Sequence, residues 1–259
     1  MPSRVVGIFR YPVKGLSADP LQTVNVEPGQ TLPLDRAWAI ENGPGRFDPE
    51  NPKHLPKINF LMLMRNERLA ALKTQFDAEK NLLTICRAGK PVLRADLTTR
   101  SGHLIIEQFM AAYVADGLRG PPKVVCSPGH SFSDTAARRV HLINLASLRE
   151  IERAANRAVD PLRFRPNVII DDAEPWAEFA WVGREITIGS VKLQVHKRTD
   201  RCAATNVEPA TGARDMDIPA LLSRKWGHIY FGVYAEILTH GRLAIGDEVK
   251  AERGPSISA

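Results

Sequence analysis

Alternation of apolar and polar residues with period two, broken by turn signals every few residues, is the strongest constraint this chain carries. It recurs over residues 4–13, 22–26, 36–41, 82–86, 92–96, 167–171, 185–188, 191–196, 229–238 and 248–251. A period of two places one face of each segment inward and one outward, the pattern of a half-buried strand. Pro28-Gly29, Ala88-Gly89, Gly189-Ser190, His240-Gly241 and Gly246-Asp247 supply the turns. Helical spacing is rarer. Ile105, Ile106, Phe109, Met110, Tyr113 and Val114 share one helix face, with Gly117 beyond as a terminator. Leu145, Leu148, Ile151 and Ala155 do so after Asn144, an N-cap, and a short third helix is expected over 218–226 behind Asp217. Short strands with little βαβ alternation favour barrels or sandwiches, so the expected fold is mainly β with a few helices (α+β), in two β-rich parts. The stretch "GLRGPPK" at 117–123 is the expected boundary, giving domains 1–118 and 119–259.

A chain of 259 residues buries roughly three quarters of its unfolded surface and needs no covalent staples. Its three cysteines, Cys86, Cys126 and Cys202, are odd in number and widely spaced, against both a disulfide framework and a Cys-x-x-Cys zinc site. No segment reads as a signal peptide or membrane span, so the expected compartment is the cytoplasm, with no membrane partner. A net charge of +6 and a pI near 9.4 call for an anionic partner. The basic residues are scattered and not interleaved with aromatics, which disfavours nucleic acid and leaves a small anion in a pocket.

Cys202 is the cysteine whose surroundings call for chemistry. In "HKRTDRCAATNVEPATG" it follows Arg201 and Arg198, and cations beside a thiol favour thiolate. Cys86, in "NLLTIC", reads as an ordinary strand residue, and Cys126, in "VVCSPGH", is open to either reading. No histidine marks itself as a base for a cysteine nucleophile, and His196 falls on the polar face of a strand. A thiolate's other natural role is as ligand to a soft or high-valent metal. "PLRFRPNVII" (161–170) sets two arginines and an asparagine at a helix-to-strand junction, where an arginine fork suits phosphate. "RYPVKGLS" (10–17) and "LDRAWAI" (34–40) each put a cation at a strand end or turn.

Together and in this order these segments resemble the MOSC-domain proteins, the family of molybdenum cofactor sulfurase C-terminal domains, with the N-terminal β-barrel domain that often precedes them. The nearest subgroup is similar to the mitochondrial amidoxime reducing component and its bacterial relatives. The resemblance rests on "YPVKG", "LDRAWAI", "FSDTAARRVHLINLASL", "RFRPNVII", "DRCAATNVEPATG", "YFGVYAEI" and "GRLAIGDEV", and spans nearly the whole chain. It implies a C-terminal MOSC β-barrel and a molybdenum cofactor (Mo-molybdopterin) between the two parts, with Cys202 as protein ligand to the metal and the dithiolene supplying two further sulfurs. By the same resemblance Lys14 and Arg36 hold the cofactor phosphate, and Arg165 and Arg201 line the pterin and its tail. Asp134 and Thr135 fall near the metal, with Asp134 a catalytic residue beside Cys202. Gly15, Asn144, Asn167 and Thr205 complete the expected cofactor-binding set.

The implied activity is a pyridoxal phosphate-independent oxidoreductase that removes oxygen from N-hydroxylated small molecules. Three scattered cysteines cannot ligate an iron–sulfur cluster. A separate electron donor of ferredoxin, flavoprotein or cytochrome b type is therefore expected. The alternative is a sulfur carrier using a Cys202 persulfide without a bound metal. The Pro-rich loop "NGPGRFDPENPKHLPK" (42–57) is the expected rim of the site.

Overall fold

In the computed structural model, which describes residues 3–251, the alternating segments become strands that close on themselves. The chain runs β1 (Ser3–Arg10), β2 (Asp19–Leu21), β3 (Thr23–Val26), β4 (Trp38–Asn42), β5 (Leu72–Asp77), β6 (Leu82–Arg87), β7 (Lys90–Asp96), α1 (Arg100–Tyr113) and β8 (Pro122–Cys126). It continues through β9 (Val140–Asn144), α2 (Leu145–Ala155), β10 (Val168–Asp171), β11 (Glu185–Ile188), β12 (Val191–Asp200), α3 (Ile218–Trp226), β13 (Tyr230–Ile237), β14 (Gly241–Ala244) and β15 (Glu248–Ala251). The fold is α+β with β dominant, as the alternation implied.

Seven strands form a closed barrel in the order β10-β9-β13-β12-β11-β15-β1, with β1 returning to pair with β10. Only the β10–β9 pairing is parallel. Each strand gives a side chain to one buried cluster: Val5, Leu142, Ile170, Ile186, Val195, Val233 and Val249. The N-terminal strand is thus a stave of the barrel built otherwise from strands after residue 140. β2 extends the sheet beyond β1, and β3 pairs with β14.

A second core joins β4, β8, the β5-β6-β7 meander and α1 through Trp38, Ile40, Leu72, Leu83, Ile85, Ile106, Met110 and Val124. A third packs α2 and α3, through Leu148, Ile151, Ile218 and Leu222, on Ile143, Ile169 and Phe231 of the barrel wall. The expected caps hold: the side chains of Asn144 and Asp217 accept from the amides of Ala146 and Ala220. Helix α1 stops at Tyr113, four residues before Gly117, which lies in a 3-10 turn. β8 begins inside the "GLRGPPK" stretch and pairs with β4. Among the described residues no helix is long and apolar enough to cross a membrane.

Candidate functional site

A cleft of about 460 Å³ opens between one rim of the barrel and the second core, and chain segments far apart in sequence meet there. The turn after β1 brings Lys14 and Gly15, and the turn before β4 brings Arg36. The β8–β9 connection contributes Asp134, Thr135 and Arg139, and β9 contributes His141. Arg163, Arg165 and Asn167 lead into β10; Thr199 and Asp200 end β12, and Arg201, Cys202 and Thr205 follow it. Of the residues expected from sequence, all but Asn144 line this one cleft.

Asn144 is a correction. It is fully buried at the junction of β9 and α2, where its oxygen accepts from Ala146 N at 3.0 Å. Its amide donates to Glu174 O at 2.9 Å and to the buried Glu178 carboxyl at 3.1 Å. A carboxamide engaged three ways inside the wall has nothing to offer a ligand in the cleft. Asn167 lines the cleft yet is also held: its oxygen accepts from His141 N at 3.1 Å and its nitrogen donates to Phe9 O at 3.1 Å, which ties β1 to β9.

Arg36 and Arg165 both have left-handed backbone, with φ of 55° and 52°. Side chains other than glycine adopt this at a cost of about 1–3 kcal/mol, and such strain gathers at functional sites. Their guanidinium carbons lie 4.6 and 4.1 Å from the centroid of the buried Tyr11 ring, so one aromatic face system positions two like charges. Tyr11 donates its hydroxyl to Pro166 O at 3.1 Å, and burial pushes its pKa far up, so it stays neutral. Asp35 pairs with Arg36. Burial lowers the Arg165 pKa to about 10, which still leaves it protonated at neutral pH. Gly15 has φ of +86°, and a Cβ there would stand 2.9 Å from Leu61 O, so this turn requires glycine.

Lys14 is buried, donating to Phe132 O at 2.8 Å and pairing with Asp134. Asp134 keeps half of its side-chain surface accessible because the cleft is open beside it, although protein atoms crowd it on other sides. That crowding opposes ionisation, but the Lys14 and Lys57 ammoniums overcome it and lower the Asp134 pKa to about 2. Arg201 donates to Phe164 O at 2.7 Å and faces His141 Nε2 at 3.3 Å. Burial, then the Arg201 charge, drive the His141 pKa well down, so His141 is neutral and accepts from Arg201. Cys202 is half-buried just past β12, and its carbonyl accepts from both the amide (3.0 Å) and the hydroxyl (2.9 Å) of Thr205. Thr135 turns its hydroxyl to Ala137 O at 2.9 Å.

Eight cations and two carboxylates line the cleft, an excess of positive charge in a partly desolvated space. Seven buried side-chain polar atoms among the described residues have no hydrogen-bond partner, and five belong to this cleft: Arg139 Nε, Arg163 Nε, Arg165 Nη2, Arg201 Nε and Thr199 Oγ1. Buried donors without partners are costly, so their concentration here marks a site whose protein atoms alone do not satisfy it. No group of three or more metal-ligating side chains occurs among the described residues. A metal at Cys202 would therefore bring most of its own ligands.

The loop expected at the rim does reach the cleft through His54, Pro56 and Lys57, but Lys57 itself was not singled out, and His141, Arg139 and Tyr11 were missed. His141 sits in an apolar run that disguises it, and Lys57 in a loop without periodicity. Cys86 is buried on β6, Cys126 lies on β8 outside the cleft, and all three cysteines are unpaired. His196 is half-exposed and pairs with Glu236 at 2.8 Å, away from the cleft.

Barrel, second core and cation-lined, thiol-bearing cleft define a β-barrel protein with an excess of positive charge at its candidate site. The MOSC domain matches residues 128–250 and the MOSC N-terminal beta barrel domain matches residues 2–115, and the chain belongs to this family. Over 122 residues it is 30% identical to mitochondrial amidoxime reducing component 2 of Rattus norvegicus, covering 42% of this chain and 36% of that protein. Over 189 residues it is 27% identical to a molybdenum cofactor sulfurase of Drosophila ananassae, covering 68% of this chain and 23% of that protein. The matches thus span about a third or less of these relatives' lengths. Among solved structures, the YUAD protein from Bacillus subtilis aligns over 97% of this chain and 96% of its own, at 10% identity and a TM-score of 0.46.

Proposed function

We propose that this protein is a molybdenum-cofactor-dependent oxidoreductase that reduces N-hydroxylated small molecules with electrons from a separate donor protein. The observation that carries the reading is the set of partnerless buried guanidinium nitrogens gathered around one thiol. These residues fit the cofactor: a phosphate would neutralise the cationic wall, and a dithiolene would complete a coordination sphere to which the protein offers one sulfur. When bound, the cofactor would supply the two-electron molybdenum couple that removes oxygen from the substrate.

The chain's own residues hold and orient. Arg36, Arg165 and Lys14 would bind the phosphate, Arg201 the heterocycle, and Cys202 the metal. Asp134, ionised at any pH above about 2, can accept a hydrogen bond from a substrate N–H or O–H but is no proton source at neutral pH. Converting N–OH to N–H consumes two electrons and two protons and releases water, so a donor must restore the electrons after each turnover. With no cysteine paired among the described residues, a reducing compartment such as the cytoplasm suits the protein.

The test is metal and pterin analysis of protein made in a host that synthesises the cofactor, beside Cys202→Ala and Arg165→Ala. Near-stoichiometric molybdenum is expected in the wild type and loss of metal in Cys202→Ala. Arg165→Ala should weaken cofactor retention roughly tenfold to a hundredfold, the value of one charge-assisted hydrogen bond of about 1.5–3 kcal/mol. A wild type with neither molybdenum nor pterin, yet taking up sulfane sulfur on Cys202, would sink the proposal in favour of a sulfur carrier.

A further inference from the structure

Lys57 reaches Cys202 from the opposite side of the cleft. Its Nζ lies 3.3 Å from Cys202 Sγ, and 4.0 Å from Asp134 Oδ2, with a third of the side chain exposed. The loop that carries it is held close by. Asn59 Nδ2 donates to Pro56 O at 2.9 Å, Phe60 N donates to Lys57 O at 3.1 Å, and the Arg119 guanidinium donates to Ile58 O. A 3-10 turn, Lys57–Asn59, starts at the lysine itself, and Leu61 N anchors its exit to Ile40 O of β4 at 2.8 Å. The ammonium is therefore presented by anchored backbone.

We propose that Lys57 is a positioning residue for Cys202, donating a charge-assisted hydrogen bond to Sγ that raises the reduction potential of the metal this thiolate carries. The proposal rests on the reading of Cys202 as a molybdenum ligand. A thiolate stabilises an oxidised metal by donating electron density. A cation bonded to the sulfur withdraws part of that density and so favours the reduced state. Because Lys57 precedes Cys202 by 145 residues and lies on the β4–β5 connection, the potential depends on how that connection seats against the barrel.

Redox titration followed by the molybdenum EPR signal, on wild type, Lys57→Met and Lys57→Arg, is the test. Lys57→Met should keep its molybdenum and shift the reduction equilibrium at least tenfold toward the oxidised state, about 59 mV per one-electron step, with Lys57→Arg restoring it to within roughly threefold. Lys57→Met with wild-type molybdenum content and wild-type potential overturns the proposal. A metal-free thermal double-mutant cycle of Lys57→Met with Cys202→Ala reads the contact directly. Additive losses in Tm overturn the proposal whatever the metal content. A wild type without molybdenum rejects the proposed function and with it the effect on the potential, even where non-additive losses show the Lys57–Cys202 contact to be real.

Discussion

Asn144 and His141 sit three residues apart on one strand and do different work. Asn144 caps α2 and donates to Oε2 of the buried Glu178, so Asn144→Ala removes a cap and one of the two side-chain donors to that carboxyl. The expected loss is about 2 kcal/mol or more in denaturant unfolding, with molybdenum per folded protein unchanged. His141 predicts a pH effect. Its folded pKa lies far below the ordinary value of about 6.5, so the unfolded chain binds the extra proton between those two pKa values. Its contribution is complete above pH ~6.5 and declines as pH falls toward the folded pKa. Calorimetry should therefore find a smaller Tm drop from neutral to mildly acidic pH in His141→Gln than in the wild type. Cys202 was legible in sequence from its cationic neighbours, and Arg36 and Arg165 from their motifs. His141 and Lys57 were not, because their partners lie 60 and 145 residues away and only closure of the fold brings them together.

At the level of elements, the strap after Cys202 is fastened on both sides. Arg163, whose side chain is fully buried, pairs with Glu208 and Asp215 of the strap. Arg214 donates to Ala203 O at 3.1 Å, to Met64 O at 2.7 Å and to Glu67 Oε2 at 3.1 Å, crossing to the second core. Arg163→Ala would leave Glu208 without its ion-pair partner while Asp215 keeps Arg157, and should cost roughly 1.5–3 kcal/mol in chemical denaturation. Gly212→Ala is expected to destabilise by more than about 1 kcal/mol in the same assay. The reason is that Gly212 has φ of +78° and a Cβ would meet Glu67 O at 2.8 Å. Period-two reading located the barrel strands that are polar on one side. It missed β9, whose five residues are all buried, since Leu142 faces the barrel interior and Ile143 the α2–α3 layer. With both faces covered, "VHLIN" loses its alternation and merges into the helical pattern behind it. β2, β5, β8 and β14 escaped notice as well, three of them being five residues or shorter.

For the molecule as a whole, the consequence of β1 is that the halves of the chain are not independent. β1 fills the gap between β10 and β15, so a fragment beginning at residue 119 has a barrel of six staves with two raw edges. Such a fragment should aggregate or lack cooperative melting by circular dichroism, while co-expression with residues 1–118 restores a folded complex. The positive charge also gains meaning at this scale: basic residues scattered along the sequence converge on the cleft because the barrel rim collects turns from both halves. During synthesis β1 is made long before one of its partners, since Val249 lies 246 residues beyond Ser3. At about 5–20 residues per second, β1 waits on the order of ten seconds or more for the stave that completes its pairing. The barrel therefore closes only after β15 has been made, and whatever occupies the cleft beside its rim is acquired after that.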